Sequence, residues 1–316
     1  MFITCGEALF DVFANQEAGG DPLGFKAQGV IGGSPLNVAL GLVRMGNEAG
    51  MFTRVSTDSL GAKIKAFMRQ NGMSERYCIA TGNPTTFVLV NTRSDGQPDY
   101  SFYCTGTADC SMEMADIPAT LDDNVSVIHL GSLTTVLEPT ASVLRAFARQ
   151  QAGKRFITYD PNVRAMVEPD AEKWRSVADE LMGVANMVKA SDEDLEFLYP
   201  GQALEAFIEK GLLAGADIVA VTRGAGGAII GSSDGRLAHI DGVKIDVMDT
   251  VGAGDTFQAA SIHYVGAQNA LQKGKACSVD IAELGRFATH AAALTCTRRG
   301  ADLPSLAEIN AFMASR

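Results

Sequence analysis

Short apolar runs rich in Val and Ile recur along the chain, and longer stretches with helical spacing separate them. Residues 2–5, 51–55, 125–130, 156–159, 187–189, 218–221 and 228–230 predict strands. Residues 35–45, 60–70, 141–150, 174–182 and 204–213 predict helices between them. Strands that are apolar on both faces and alternate with helices indicate a mostly parallel sheet covered on two sides, an α/β fold. Two segments break the rhythm. Residues 12–30 are Gly-rich and polar, and residues 85–107 alternate apolar with polar side chains around a Ser94-Asp95-Gly96 turn signal. The second reads as a β-hairpin, and such a piece is either a small lid over a site at the strand ends or a plain edge hairpin. No repeat or flexible linker divides residues 1–316, so the lid belongs to a single domain.

Composition narrows the partners. The 316 residues are 47% hydrophobic and carry a net charge of −11, a field that repels nucleic acid and anionic membranes. Local amides or a bound cation can still hold an anionic nucleotide. Cys5, Cys78, Cys104, Cys110, Cys277 and Cys296 show no C-x-x-C spacing, so zinc and a redox dithiol are disfavoured. The N-terminal MFITCGEALFDVF lacks the basic start of a secretion signal, and a cytoplasmic location is expected.

The most informative segment is DTVGAGDTFQAASI, beginning at Asp249. Gly252, Ala253 and Gly254 run into Asp255 and then into an apolar small-residue stretch, as at the start of a buried helix whose first amides are bare. A carboxylate placed in such an anion-attracting spot is either an ordinary cap or a base working beside a phosphate. No G-x-x-x-x-G-K-[ST] occurs, and neither Gly252-x-Gly254 nor Gly224-x-Gly226 completes a dinucleotide fingerprint. A second glycine site, Gly32-Gly33, precedes a plausible helix start at Ser34-Pro35, with Asn37 one turn in among apolar residues. A buried amide needs a partner, and either backbone groups or a polar ligand would supply it. Asp11, after the first strand, either accepts from vicinal hydroxyls or sits in a loop as a cap.

Together the two sites resemble the ribokinase/PfkB family of sugar kinases over essentially the whole chain. Gly32-Gly33-x-x-x-Asn37-x-Ala39 is similar to that family's N-terminal signature, and Asp249-Thr250-x-Gly252-Ala253-Gly254-Asp255 to its C-terminal one. The resemblance implies that Asp255 draws the proton from a sugar's primary hydroxyl. It implies that the amides of Gly252, Ala253, Gly254 and Asp255 form an anion hole, and that Asp11, Gly32, Gly33 and Asn37 hold sugar hydroxyls. Thr222-x-Gly224-x-x-Gly227 resembles the family's turn near the nucleotide. Lys189 and Ser191-x-x-Asp194 stand where members carry N-x-x-E, tied to Mg²⁺, and the shorter Asp194 departs from that pattern. Its alternative is a Ser191 helix cap. The resemblance further implies ATP as donor and a K⁺ held by carbonyls of Asp249, Val251, Arg298 and Gly300.

Asp160-Pro161-Asn162-Val163-Arg164 is similar to fructokinases and to 2-keto-3-deoxygluconate kinases. Arg164 would bind a carboxylate or phosphates, or pair with an acid such as Glu168. Phe102 or Tyr103 on the lid would pack against the sugar ring or simply within the strand face. Gly6-Glu7-Ala8 and Ser34-Pro35 lean towards fructokinases, so D-fructose is the expected substrate, with the sugar acid next. An inactive sugar-binding protein on the kinase fold is the rival of another class. A homodimer through the lid is also expected.

Overall fold

The computed structural model describes residues 1–15, 24–92 and 98–316. In chain order its strands are β1 (Phe2–Cys5), β2 (Leu9–Asn15), β3 (Lys26–Gly32), β4 (Ala49–Ser56), β5 (Ser74–Thr81), β6 (Phe87–Thr92), β7 (Pro98–Tyr103), β8 (Val127–Gly131), β9 (Phe156–Asp160), β10 (Met187–Ser191), β11 (Ile218–Thr222), β12 (Ala228–Ser232) and β13 (Leu237–Ile240). Its helices are α1 (Ser34–Arg44), α2 (Ser59–Gln70), α3 (Thr140–Gln151), α4 (Ala171–Met182), α5 (Asp192–Leu198), α6 (Leu204–Ala214), α7 (Ala253–Ala267), α8 (Ile281–Cys296) and α9 (Leu306–Ala314).

Nine strands form the main sheet in the order β13-β12-β11-β10-β9-β8-β1-β4-β5. Every pair from β11 to β5 is parallel, and β12 and β13 add an antiparallel edge. Alternate side chains serve opposite cores, as strand geometry requires. Ile3, Ile128, Val188 and Val219 pack with Phe147, Trp174, Leu195 and Phe207 from α3 to α6. Phe2, Val127 and Ile218 pack with Leu42, Ile262 and Leu284 from α1, α7 and α8. Each such side chain stabilises the fold by about 1.5–3 kcal/mol when fully buried. The strands β5 and β13 escape the sequence pattern because both are edges with exposed positions.

A separate four-stranded sheet has the order β3-β2-β6-β7. Two antiparallel hairpins are joined by the parallel pair β2–β6. It draws on the segments 12–30 and 85–107 but begins earlier, at Leu9. Residues 16–23 and the Ser94-Asp95-Gly96 turn lie outside the described residues. Leu9, Val88 and Val90 are buried with Cys110 and Leu133, which ties one face of this sheet to the body.

Strand order reverses at β1, whose neighbours are β8 and β4. The crevice beyond the carboxyl ends of such strands is where open α/β sheets bind ligands. Two helix N-termini meet there because α1 and α7 pack closely. A Cβ on Gly41 would lie 2.7 Å from Leu303 Cδ2 and 2.9 Å from Ala259 Cβ, so only glycine permits this approach. Among the described residues, no helix is long and apolar enough to cross a membrane.

Candidate active site

Helix α7 starts behind Gly252, whose φ of 80° is left-handed, and no side chain caps it. Among the described residues, the amides of Gly252, Gly254 and Asp255 donate to no protein acceptor. Ala253 differs from expectation: its N–H is spent on the Thr250 carbonyl at 3.2 Å, so the turn offers three bare amides rather than four. The Asp255 side chain is 8% exposed. Ser34 Oγ donates to its Oδ1 at 2.7 Å, and Asn37 Nδ2 donates to its Oδ2 at 2.8 Å. Asn37, expected against sugar hydroxyls, orients the carboxylate through this bond. Its partner is invisible locally because it lies in another helix.

Gly33 turns the chain into α1 with φ 113°, and a Cβ there would lie 2.6 Å from the Glu7 carbonyl oxygen. A Cβ on Gly32 would lie 2.6 Å from Asp11 Oδ2, so the Asp11 carboxylate rests against bare backbone. Burial pushes the Asp11 carboxyl up to about 6, with Arg164 pulling it down and Asp255 pushing it further up. These three charges thus share one field. Strand register sets Asp11, Val88 and Phe102 on one face of the small sheet, with Phe13, Val90 and Tyr100 one step along it. Phe102 packs beside Leu9, Val88 and Val90, whereas Tyr103 points to the other face and stacks on Phe87 at 4.5 Å. Tyr100 escaped the sequence reading. Burial, Asp11 and Asp249 raise its hydroxyl while Arg164 lowers it, so it joins the same cluster. Its position two residues before Phe102 was the available signal.

On the opposite wall, Lys189 and Asp160 form a buried ion pair at 2.9 Å, with side chains 5% and 1% exposed. Burial opposes the Lys189 charge, but Asp160, Asp194 and Asp255 outweigh it and hold the ammonium above its ordinary value. A Cβ on Gly254 would lie 3.1 Å from Lys189 Nζ, so the ammonium sits against the bare-amide turn. Both Asp194 oxygens are hydrogen-bonded. Its Oδ1 accepts from Val163 N–H at 2.7 Å and its Oδ2 from Ser191 N–H at 2.9 Å. Ser191 Oγ completes a capping box with the Asp194 amide, which accounts for both residues as helix-cap groups. Arg164 makes no ion pair among the described residues, and Glu168 is taken by Lys173 at 2.7 Å. The Asn162 side chain and the Asn162 and Val163 carbonyls hold one Arg164 nitrogen, Nη1.

Thr222 ends β11 beside Ser191. Gly224 stays exposed in the turn that follows, but Gly227 does not face solvent: a Cβ there would collide with the Ile240 carbonyl, and its N–H closes the turn on Gly224. Gly227 shapes the turn and Thr222 and Gly224 border the crevice. The Asp249 carboxylate accepts from Val251 N–H at 3.1 Å and from Gly300 N–H at 2.8 Å, binding two loops together. No described donor reaches the carbonyls of Asp249, Val251 or Arg298, while that of Gly300 accepts from Asp302 N–H. Three of the four carbonyls expected around K⁺ are therefore unengaged among the described residues.

The family model for pfkB family carbohydrate kinases matches residues 2–308. The chain belongs to this family. It is 31% identical over 280 residues to a fructokinase of Rhizobium leguminosarum bv. trifolii, covering 89% of this chain and 84% of that one. It is 30% identical over 324 residues to fructokinase-1 of Oryza sativa subsp. japonica, covering 100% and 98%. A fructokinase of Xylella fastidiosa solved with bound ATP superposes with a TM-score of 0.86 at 24% identity, covering 99% and 98%. A Vibrio cholerae fructokinase with fructose, ADP and calcium ion gives 0.82 at 24%, covering 99% of each chain. At that identity the two structures share the fold.

As a carbohydrate kinase, the protein needs a proton acceptor for an alcohol and a stabiliser for phosphoryl charge. The Asp255 carboxylate and the bare amides of the α7 turn are adjacent groups of these two kinds.

Proposed function

We infer that the protein phosphorylates D-fructose at its 6-hydroxyl with ATP. The observation that carries this reading is the Asp255 carboxylate, fixed through both oxygens by Ser34 and Asn37 while the amides beside it stay bare. A base held this way meets the sugar hydroxyl without reorganising. Asp255 takes the hydroxyl proton, the sugar oxygen bonds to the γ-phosphorus, the bond to the bridging oxygen breaks, and ADP leaves. The amides of Gly252, Gly254 and Asp255, with Lys189 beside them, offset charge on the transferred group. Asp11, across the crevice, accepts from sugar hydroxyls against the open backbone of Gly32 and Gly33. The relatives named fructokinase support the choice of sugar.

The small sheet acts as the lid, with Phe102 and Tyr100 over the sugar, and excludes water from the transfer. The exposed strand β3 and the exposed Phe13 and Tyr103 support a homodimer through this sheet. A divalent cation would arrive on the nucleotide phosphates. K⁺ would sit among the carbonyls of the Asp249 and Gly300 loops and hold them in place.

Arg164, free of any acid partner among the described residues, favours a second substrate class, a sugar acid such as 2-keto-3-deoxygluconate. A coupled ADP-release assay over a sugar panel with ATP and Mg²⁺, run with and without K⁺, tests both. Preferred turnover of fructose supports the first reading. Preference for the acid overturns it in favour of the second, and turnover of neither discards both.

A further inference from the structure

Four connections join the small sheet to the body: before β2, after β3, before β6 and after β7. Two fully buried acids that take no part in the transfer lie at these connections. Glu7 serves the second connection. Its Oε1 accepts from Ser34 N–H at 3.3 Å, and its Oε2 accepts from Thr134 Oγ at 3.0 Å. Asp109 serves the third and fourth. Its Oδ1 accepts from Thr86 Oγ1, just before β6, and from Thr107 Oγ1 at 3.2 Å, just after β7, a hydroxyl whose one proton is shared with the Cys104 carbonyl at 2.9 Å. Those two hydroxyls are themselves 2.6 Å apart. Its Oδ2 is sealed from solvent without a hydrogen-bond partner.

The same residue is fastened to the body. Thr140 Oγ1, at the start of α3, donates to the Asp109 carbonyl at 2.9 Å, and Met112 N–H donates back to Thr140 Oγ1 at 3.0 Å. Asp109 is 1% exposed, Thr86 1% and Thr107 5%, so water does not compete for these bonds. A carboxylate carried into such a place is costly unless the donors around it are held in position. Here the donors are the roots of separate strands, and one oxygen is bonded by two of them. Any swing of the sheet must therefore turn about this oxygen or break its bonds.

We propose that Asp109 is the positioning residue of the lid hinge, setting the angle at which the small sheet meets the sugar. This rests on the reading of that sheet as a lid. Asp109 does not touch the reacting atoms, so its removal acts on sugar capture and on exclusion of water. The nucleotide side, built from β10, β11 and α7, has no bond to it.

The test uses the full-length Asp109→Asn protein with ATP and whichever sugar the wild type turns over best. That choice separates failure of the hinge from failure of the fructose assignment. KM for the sugar should rise about tenfold or more, the worth of one lost hydrogen bond of this kind, while KM for ATP stays within about twofold. ATP hydrolysis without sugar should rise relative to transfer. Thr86→Val and Thr107→Val remove the donors without changing side-chain shape and should raise the sugar KM in the same direction. They carry the test alone should the Asp109 variant fail to fold. Unchanged sugar KM in folded variants, or equal losses for sugar and ATP, overturns the proposal.

Discussion

The Ser34 hydroxyl donates to Asp255 Oδ1 across 2.7 Å, joining the first residue of α1 to the first turn of α7. With Asn37 on the other oxygen, the carboxylate has a fixed plane. Neither donor can be inferred from the helix that carries Asp255. Ser34→Ala should therefore lower kcat by about tenfold, the worth of one charge-assisted hydrogen bond, with KM for ATP little changed. Steady-state kinetics on the favoured sugar checks this. An unchanged kcat would mean that packing alone orients Asp255.

Removing the proposed base itself is a stronger test. In Asp255→Asn the new amide can keep the Ser34 bond through its oxygen, and Asn37 can turn its own oxygen to the new amide nitrogen. The site should stay assembled while proton removal is lost. A fall in kcat of about 10²–10⁴ is expected with sugar affinity nearly intact. Calorimetric titration of sugar beside the kinetics separates the two. Near-normal turnover would exclude Asp255 as the base.

Much of the scaffold is legible in the sequence. The buried strands β1, β8, β9 and β11 are apolar at nearly every position, so their pattern survives any register. The glycines at 32, 33, 252 and 254 also announce bare backbone. What cannot be read locally is the company each polar residue keeps. Asn37 finds Asp255, and Asp194 finds Val163 N–H, only once α1 meets α7 and the loop after β9 folds onto α5. The capping box at Asp194 is the local exception, legible in the sequence as the Ser191 helix cap. The shorter Asp194 side chain reaches the Ser191 amide inside its own helix turn.

Glu7 makes stability depend on pH. Burial pushes its carboxyl up to about 7 from a usual 4.5, against hydrogen bonds that pull it down. Between those values the folded chain keeps a proton that the unfolded chain releases. The contribution of this group is thus complete below the lower value and is lost as pH rises through the higher one, by up to about 1.4 kcal/mol per pH unit. Asp11 and Asp160, each raised to about 6 chiefly by burial, slope the same way. Glu7→Gln has no proton to lose, so the difference in Tm between wild type and variant should shift in the variant's favour as pH rises from roughly 5 to 8. A pH-independent difference would show that Glu7 ionises as readily when folded.

Lys189 combines two duties that can be pulled apart. Its ammonium neutralises buried Asp160 and also lies against Gly254 at the bare amides. Lys189→Met keeps the length of the side chain but strands the Asp160 charge, which should cost about 3–5 kcal/mol and lower Tm. The double variant Lys189→Met with Asp160→Asn leaves no unpaired charge and should regain most of that stability. Its kcat should remain depressed, because the positive charge beside the transferred phosphoryl group is still missing. Thermal melts and kinetics on the single and double variants measure both effects. Recovery of kcat together with Tm would confine Lys189 to holding Asp160, whereas recovery of Tm alone assigns its charge to catalysis.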